Sequence, residues 1–246
     1  MGRGAVLLST RDRGGSQRLR LGDGLRAEPG VQAVGGGGCG HDPRRGAMKG
    51  IGAWIIVLLA DIGCATSPEQ LDRPTNVAFG LDGDIYVADG YNHARIARFS
   101  EDGRFVMEWG ERGFGPGQLD TPHGIVTDDE GRVYVADREN ARVQVFSANG
   151  HYLAQWKSAA LGRPWAIAFG PDRHIYVVDG GDQDPERPRG HVLRISLDGK
   201  IVDRWSTSGD GPGEIDWGHG IAVGHDGSVY VTSLRGRGVQ KFRRTK

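Results

Sequence analysis

The segment Tyr86-Val87-Ala88-Asp89 decides the fold, because related segments return three more times along the chain. The later copies are Tyr134-Val135-Ala136-Asp137, Tyr176-Val177-Val178-Asp179 and Tyr230-Val231-Thr232-Ser233. Successive tyrosines lie 48, 42 and 54 residues apart. Spacings of about 40–50 residues are typical of propeller blades and solenoid units. We therefore expect one structural unit that is used four times.

The first unit, residues 73–109, has the pattern of four short strands joined by tight turns. The predicted strands are Val77–Phe79, Ile85–Ala88, Arg95–Ser100 and Phe105–Trp109, with Asp-Gly turns at 82–83 and 102–103. One such sheet cannot bury both of its faces alone, and radial stacking of several sheets solves this problem. The sequence therefore predicts an all-β protein, a β-propeller built of four four-stranded blades.

The fourth unit ends before its outer strand. Its third strand is predicted at residues 238–242, and the sequence stops at Lys246. In closed propellers the missing strand commonly comes from the other end of the chain. Residues 66–72 are the only candidate here, and the sequence leaves open whether the four blades close as a ring, remain an arc or pair with another chain.

Charge and cysteine content restrict the partners of the repeats. The 31 basic and 31 acidic residues balance, so no overall field favours nucleic acid. A basic C-terminal patch is offset by acidic loops, and no nucleic-acid partner is expected; the patch contains Arg235, Arg237, Lys241, Arg243, Arg244 and Lys246. Cys39 and Cys64 both precede the repeats. Any metal in the repeats is therefore expected to have His or carboxylate ligands.

The segment before the repeats divides into two pieces. Residues 1–47 hold 13 Gly and no apolar period, which predicts a disordered or untranslated upstream extension with Met48 as the true start. Residues 48–66 have the pattern of a signal peptide, a basic residue before a short apolar run, although a buried helix is the alternative. We expect an exported propeller at 67–246, periplasmic, secreted or lipid-anchored. Cys64 is a candidate for lipid attachment, although Asp61 fits that pattern poorly.

Two recurring residue types are interpreted as structural. Asp89, Asp137 and Asp179 each follow a second strand, where a carboxylate stabilises the turn into the third. Trp109, Trp156 and Trp205 end the fourth strands and are expected to pack between blades.

The segments 88–95 and 136–142 resemble NHL repeats. More narrowly, the chain resembles the lyase that cleaves peptidyl-α-hydroxyglycine to an amidated peptide and glyoxylate. The likeness covers about residues 70–244, and its specific motifs are Asp89-Gly90-Tyr91, Pro122-His123-Gly124, Val135–Asn140, Gly180–Pro185 and Trp217–Gly220. It implies a six-bladed propeller with a zinc held by three histidines, a nearby structural calcium, and catalytic Tyr and Arg side chains. The N-terminal blades of that design are expected to be missing here.

The resemblance assigns roles motif by motif. His123 and His219 match two of the three zinc ligands. Tyr91 matches the tyrosine proposed as the base, and Arg138 matches an arginine that positions the substrate. Asn140 and Trp217 lie in the matching motifs and are assigned to substrate binding. Zinc would act as a Lewis acid on the substrate hydroxyl, and a base would complete the cleavage.

The register of the repeats supports the histidine pair independently. His123 and His219 both stand just before the innermost strand, in the second and fourth units, where the other units have Thr75 and Trp165. Equivalent residues form a ring around a propeller axis, so two corners of a trigonal site are expected. The third corner belongs to a blade preceding the first unit. Gly218 and Gly220 depart from the family pattern, in which Gly220 is an Asp linked to calcium.

Three functions remain open from the sequence. The first is an exported binding or scaffold relative of the lyase, truncated or without catalysis, which binds a peptide, a small molecule at the axis, or a protein. The alternative is an active zinc-dependent lyase. A hydrolase that uses the loop of Asp182 and Asp184 is the third.

Overall fold

The computed structural model describes residues 68–181, 189–235 and 238–243. The predicted extension, the signal segment, Cys64 and the Asp182/Asp184 loop lie outside these ranges. Within them the chain forms fifteen strands in four antiparallel sheets, and no helix is long and apolar enough to cross a membrane. Each sheet is one propeller blade, which confirms the predicted fold class.

The strands follow one another in simple order within each blade. Blade 1 contains β1 (Asn76–Phe79), β2 (Ile85–Asp89), β3 (Arg95–Phe99) and β4 (Phe105–Trp109). Blade 2 contains β5 (Pro122–Thr127), β6 (Val133–Asp137), β7 (Arg142–Phe146) and β8 (Tyr152–Trp156). Blade 3 contains β9 (Pro164–Phe169), β10 (Ile175–Asp179), β11 (His191–Ile195) and β12 (Ile201–Trp205). Blade 4 contains β13 (Gly218–Val223), β14 (Val229–Ser233) and β15 (Val239–Phe242).

The blades stack through their innermost strands and through apolar layers between the sheets. β5 packs beside β1, β9 beside β5, and β13 beside β9. The second strands β2, β6 and β10 are buried along their whole length, because β6 and β10 have a neighbouring blade on both faces, and β2 has blade 2 on one face and Leu71 on the other. This burial explains why the repeated Tyr-Val-x-Asp segment is apolar without alternation.

Residues 68–72, the described part of the candidate segment 66–72, do not form the outer strand that blade 4 lacks. Residues 68–72 contain no strand, and blade 4 has three strands. Leu71 instead packs on Ile85, Val87 and Ala97 of blade 1. The peptide N–H of Asp72 donates to Asp89 at 2.9 Å. Burial of Leu71 and this hydrogen bond fix the segment against blade 1, so residues 68–72 do not supply an outer strand to blade 4.

The recurring aspartates and tryptophans have the predicted structural roles. Asp137 accepts hydrogen bonds from the peptide N–H of Asp120, from Asn140, and from Arg142 at the start of the third strand. Asp89 holds the equivalent Arg95, whereas Asp179 holds Arg189, two residues before the equivalent position, and both aspartates also accept from backbone N–H groups. Trp109 packs between blades, 5.9 Å from Tyr86 of blade 1 and 6.0 Å from Phe146 of blade 2, measured between ring centroids.

A glycine in the β11–β12 turn makes room for one of these tryptophans. Gly199 has a φ of +89°, and a Cβ added to it would overlap the indole of Trp156 from blade 2. Gly103, in the equivalent turn of blade 1, has a φ of +80° with nothing within 4 Å of an added Cβ. The two positions therefore share backbone strain but differ in packing.

Replacing Gly199 with alanine is expected to lower the free energy of unfolding by about 2–4 kcal/mol, since positive-φ strain and overpacking add. The control Gly103→Ala carries the strain alone and is expected to cost about 1–2 kcal/mol. Urea denaturation of both variants measures the difference. Equal losses would show that the indole of Trp156 does not constrain this turn.

Candidate ligand and metal site at the inner rim

Three bulged residues define the inner rim, the edge at which strands β5, β9 and β13 begin. In β5 the pairing with β6 skips His123, since Pro122 pairs with Asp137 and Gly124 pairs with Ala136. The pairing of β9 skips Trp165 and that of β13 skips His219 in the same way. A bulge redirects the extra side chain out of the sheet alternation. This local irregularity brings residues of three different blades together at the axis.

The two histidines lie side by side, as the register predicts. The ring centroids of His123 and His219 are 5.0 Å apart and the rings are nearly perpendicular, at 88°. His123 is 4% exposed, whereas His219 is half-buried. Two imidazoles from blades 2 and 4 therefore meet across blade 3.

The hydrogen bond of His123 fixes its tautomer. Its Nδ1 lies 2.7 Å from the carbonyl oxygen of Trp165, and because a carbonyl only accepts, Nδ1 carries the proton. Nε2 is then the ring's acceptor, and the hydroxyl of Tyr91 lies 3.4 Å from it. A histidine whose other ring nitrogen donates to a backbone carbonyl is arranged as metal-ligating histidines are.

Tyr91 reaches His123 because its loop approaches blade 2 closely. The preceding residue, Gly90, lies so near the carbonyl oxygen of Pro122 that an added Cβ would overlap it. Thr75 also donates its hydroxyl to that carbonyl at 2.6 Å. Tyr91 itself is 43% exposed, so its hydroxyl and ring are open to a ligand.

Arg138 is the one buried cation at the inner rim among the described residues. Its guanidinium lies 4.3 Å above the centroid of Trp165 and 5.5 Å from that of Tyr91. Nε donates to Glu139 at 3.0 Å, while the buried Nη1 has no hydrogen-bond partner. An unsatisfied buried donor on a charged group is costly, which is typical of a site that awaits an acceptor.

Trp165 is the residue that the sequence interpretation missed. Its side chain is 3% exposed and contacts His123, His219 and Arg138, while Nε1 donates to the carbonyl of Gly181 at 3.1 Å. A tryptophan before an apolar strand is usually a packing residue. Its place in the site could have been predicted from its register, which it shares with both histidines.

The two residues assigned to substrate binding lie in different surroundings. Trp217 is half-buried at the rim, 5.7 Å from Trp165 between ring centroids, and its Nε1 has no hydrogen-bond partner. Asn140 donates to the carbonyl of Gly113 and to Asp137, so its amide nitrogen supports loops within blade 2. Its contact with a ligand stays a prediction. His93 is held by Asp89 and does not join the rim.

The residues present fit two positions of a zinc site. Catalytic zinc has three protein ligands and an open position. Within residues 68–181, 189–235 and 238–243, no group of three or more His, Cys, Asp and Glu is placed to hold a metal. His123 and His219 would therefore need a third ligand from outside these ranges. The implied calcium does not fit at Gly220, which carries no side chain.

Burial favours the neutral form of both imidazoles. Burial and, less strongly, the positive charge of Arg138 lower the pKa of His123 from 6.5 to about 4, against the opposing effect of the Trp165 carbonyl. The pKa of His219 is also lowered, first by burial and then by Arg138. Neutral imidazoles are the form that binds metals.

The metal-free protein is expected to lose stability in mild acid. The folded pKa of His123 lies below its unfolded value of 6.5, so its contribution is complete above that pH and declines as the pH falls towards about 4. We expect a loss of about 2–3 kcal/mol over this interval. Urea denaturation with a chelator at several pH values measures it, and His123→Gln serves as the non-titrating control. An equal decline in that control would assign the pH dependence to other groups.

Comparisons with known proteins show which sequences this chain is similar to. Residues 119–146, which contain His123 and Arg138, match the family model of the NHL repeat. Peptidyl-glycine alpha-amidating monooxygenase B of Xenopus laevis is 37% identical over 186 residues, which cover 71% of this chain and 21% of that protein. Peptidyl-alpha-hydroxyglycine alpha-amidating lyase 1 of Drosophila melanogaster is 31% identical, covering 72% of this chain and 36% of that protein. NHL repeat-containing protein 3 of Mus musculus is 30% identical, covering 86% of this chain and 61% of that protein.

Solved structures show the same fold. A streptogramin B lyase structure superposes with a TM-score of 0.51 and 18% identity, covering 68% of this chain and 53% of that chain. The WD40 β-propeller domain of Doa1 superposes with a TM-score of 0.53 and 14% identity, covering 72% of this chain and 53% of that chain. At these identities the likeness concerns the propeller fold alone.

The fold and the repeat match together define the class of protein. The chain is a β-propeller that contains an NHL repeat at residues 119–146. Within that class its sequence is similar to the peptidyl-α-hydroxyglycine amidating lyases and to the amidating monooxygenases. It spans about a fifth of the length of the Xenopus relative and about three fifths of the mouse NHL repeat-containing protein.

Proposed function

We propose that the inner rim binds the end of a peptide that terminates in α-hydroxyglycine. The unpaired, buried Nη1 of Arg138 carries this proposal, because it offers a charged donor beside the histidine pair. A terminal carboxylate is the acceptor that suits a guanidinium. The Drosophila relative is named for peptidyl-α-hydroxyglycine, a ligand with such a carboxylate next to a hydroxyl.

Each rim residue has a distinct part in binding. Arg138 pairs with the carboxylate, and the ring of Trp165 holds the guanidinium from below. Nε2 of His123 and the hydroxyl of Tyr91, 3.4 Å apart, face the substrate hydroxyl as acceptor and donor. The half-buried Trp217 adds an apolar wall and a free N–H. Binding of this kind needs no metal and suits a binding relative of the lyases.

Zinc-dependent cleavage is the second candidate. It is favoured by the neutral imidazoles of His123 and His219, 5.0 Å apart, and by the carbonyl bond that orients the first of them. Zinc, when bound, would act as a Lewis acid on the substrate hydroxyl. In this candidate Tyr91, as its phenolate, would take the hydroxyl proton as the carbon–nitrogen bond breaks and glyoxylate forms, and the resulting phenol would give that proton to the departing amide nitrogen. The reaction also depends on a third metal ligand, which is not among the described residues.

Export of the chain is part of the proposal. It is supported by the basic residue and apolar run within residues 48–66, since peptide substrates of this class are met outside the cytoplasm. N-terminal sequencing of the mature protein tests it. A mature chain that retains residues 1–47 would contradict it.

Metal analysis separates the two candidates. If the cleavage site is complete, purified protein is expected to hold about one zinc per chain and to release glyoxylate from an α-hydroxyglycine peptide. His123→Ala and His219→Ala should each remove the zinc, and His151→Ala, in an exposed turn, should retain it.

Calorimetric titration tests the binding proposal itself. A short acetylated peptide ending in α-hydroxyglycine, kept at about pH 6 with a chelator, is expected to bind more tightly than the same peptide capped as an amide. Binding without zinc or glyoxylate assigns the chain to the binding candidate. No binding of the α-hydroxyglycine peptide would overturn the proposal.

A further inference from the structure

The rim continues beyond the histidines as a row of stacked cations and rings. Arg235, in the loop between β14 and β15, lies 4.7 Å above the centroid of Trp217. Trp217 meets Trp165 edge to face at 5.7 Å, and Trp165 carries Arg138 at 4.3 Å. Two guanidinium groups therefore flank a pair of tryptophans that runs from blade 3 to blade 4.

The groups of this row are donors. Nη1 of Arg138 and Nε1 of Trp217 are buried without a hydrogen-bond partner. Nε1 of Trp109 and of Trp205 is also unpaired, but those indoles end the outermost strands β4 and β12 and pack between blades. Arg235 is exposed and forms no ion pair within 4.0 Å in the described part of the chain. A ligand that satisfies the whole row must supply acceptors at both ends.

The positive charges at the rim also favour an anionic ligand. Glu139 neutralises part of the charge of Arg138 through Nε, whereas Arg235 has no such partner among the residues that the structure describes. A guanidinium stacked on an aromatic ring is held in one orientation, so less side-chain freedom is lost when it binds an anion.

We propose that the ligand site extends from the histidine pair across Trp165 and Trp217 to Arg235, and that this extension binds an acidic side chain of the peptide. The proposal rests on the function proposed above, in which Arg138 holds the terminal carboxylate. The second carboxylate then belongs to a residue a short distance before the peptide's end. The preferred ligands are peptides with Asp or Glu near an α-hydroxyglycine terminus.

Paired peptides test the extension. Acetylated peptides ending in α-hydroxyglycine carry either Glu or Gln at one of the three preceding positions, and calorimetry with a chelator gives both affinities. At low salt the parent protein is expected to bind the best Glu peptide about 3–5 times more tightly than its Gln counterpart. Arg235→Gln should bring this ratio to about 1 without changing the affinity for the Gln peptide. Arg243→Gln, an exposed arginine at the opposite end of blade 4 near Asp226, is the control that should keep the ratio.

The outcomes distinguish the two proposals. An unchanged Glu-to-Gln ratio in Arg235→Gln, or no preference in the parent protein at any position, overturns the extension while binding of the Gln peptide upholds the proposed function. Failure of the parent protein to bind either peptide overturns both.

Discussion

Replacing Asp137 with alanine is expected to lower the free energy of unfolding by about 3–5 kcal/mol, because it leaves a buried guanidinium without its counter-charge. The carboxylate of Asp137 is fully buried and lies 2.7 Å from Nε of Arg142. It also accepts from the peptide N–H of Asp120 and from the amides of Asn140 and Gln144. One residue thus joins the loop before β5 to the third strand of the same blade.

The fourth blade provides the matched control. Ser233 stands in the register of Asp137, at the end of the second strand, and among residues 68–181, 189–235 and 238–243 its side chain has no buried cation to neutralise. Ser233→Ala is therefore expected to cost less than about 1 kcal/mol. Urea denaturation of both variants gives the comparison. A loss below about 1 kcal/mol for Asp137→Ala would show that the polar cluster of blade 2 is not a main source of its stability.

Most of the fold could be predicted because the strands of a blade depend on local sequence patterns. The strand Phe105–Trp109 has the predicted bounds, and Ile85–Asp89 extends its prediction by one residue. Apolar runs between Asp-Gly turns determine these strands without help from distant residues. The position of residues 68–72 was not predictable in this way. It depends on whether Leu71 buries more apolar surface against blade 1 or against blade 4, and this is determined by tertiary packing.

The candidate site was predictable in part. Register and resemblance singled out Tyr91, His123, Arg138 and His219, and the structure brings all four to the inner rim. The bulges that turn His123 and His219 towards the axis leave no mark in the sequence that a strand pattern reveals. The register placed Trp165 at the equivalent position but gave it no role, although both imidazoles and Arg138 contact its ring.

Replacing Arg138 with glutamine is expected to weaken binding of an α-hydroxyglycine peptide about 30–100-fold, which corresponds to about 2–3 kcal/mol for a charge-assisted hydrogen bond in a buried site. The stability of the protein should change little. Nη1 has no partner to lose, and the pair with Glu139 is partly exposed. The variant therefore separates binding from folding, and calorimetry beside urea denaturation measures both.

Arg142→Gln is the matched comparison, since it makes the same change four residues further along the same blade. Arg142 donates to Asp137, Gln155 and the carbonyls of Phe114, Gly115 and Gln118, so its loss should reduce stability strongly. The contrast tests whether an unpaired donor marks a ligand site and a fully paired one a structural site. If Arg138→Gln instead lowers stability as much as Arg142→Gln and leaves the affinity for the peptide unchanged, Arg138 is a structural cation, and the carboxylate of the ligand binds elsewhere.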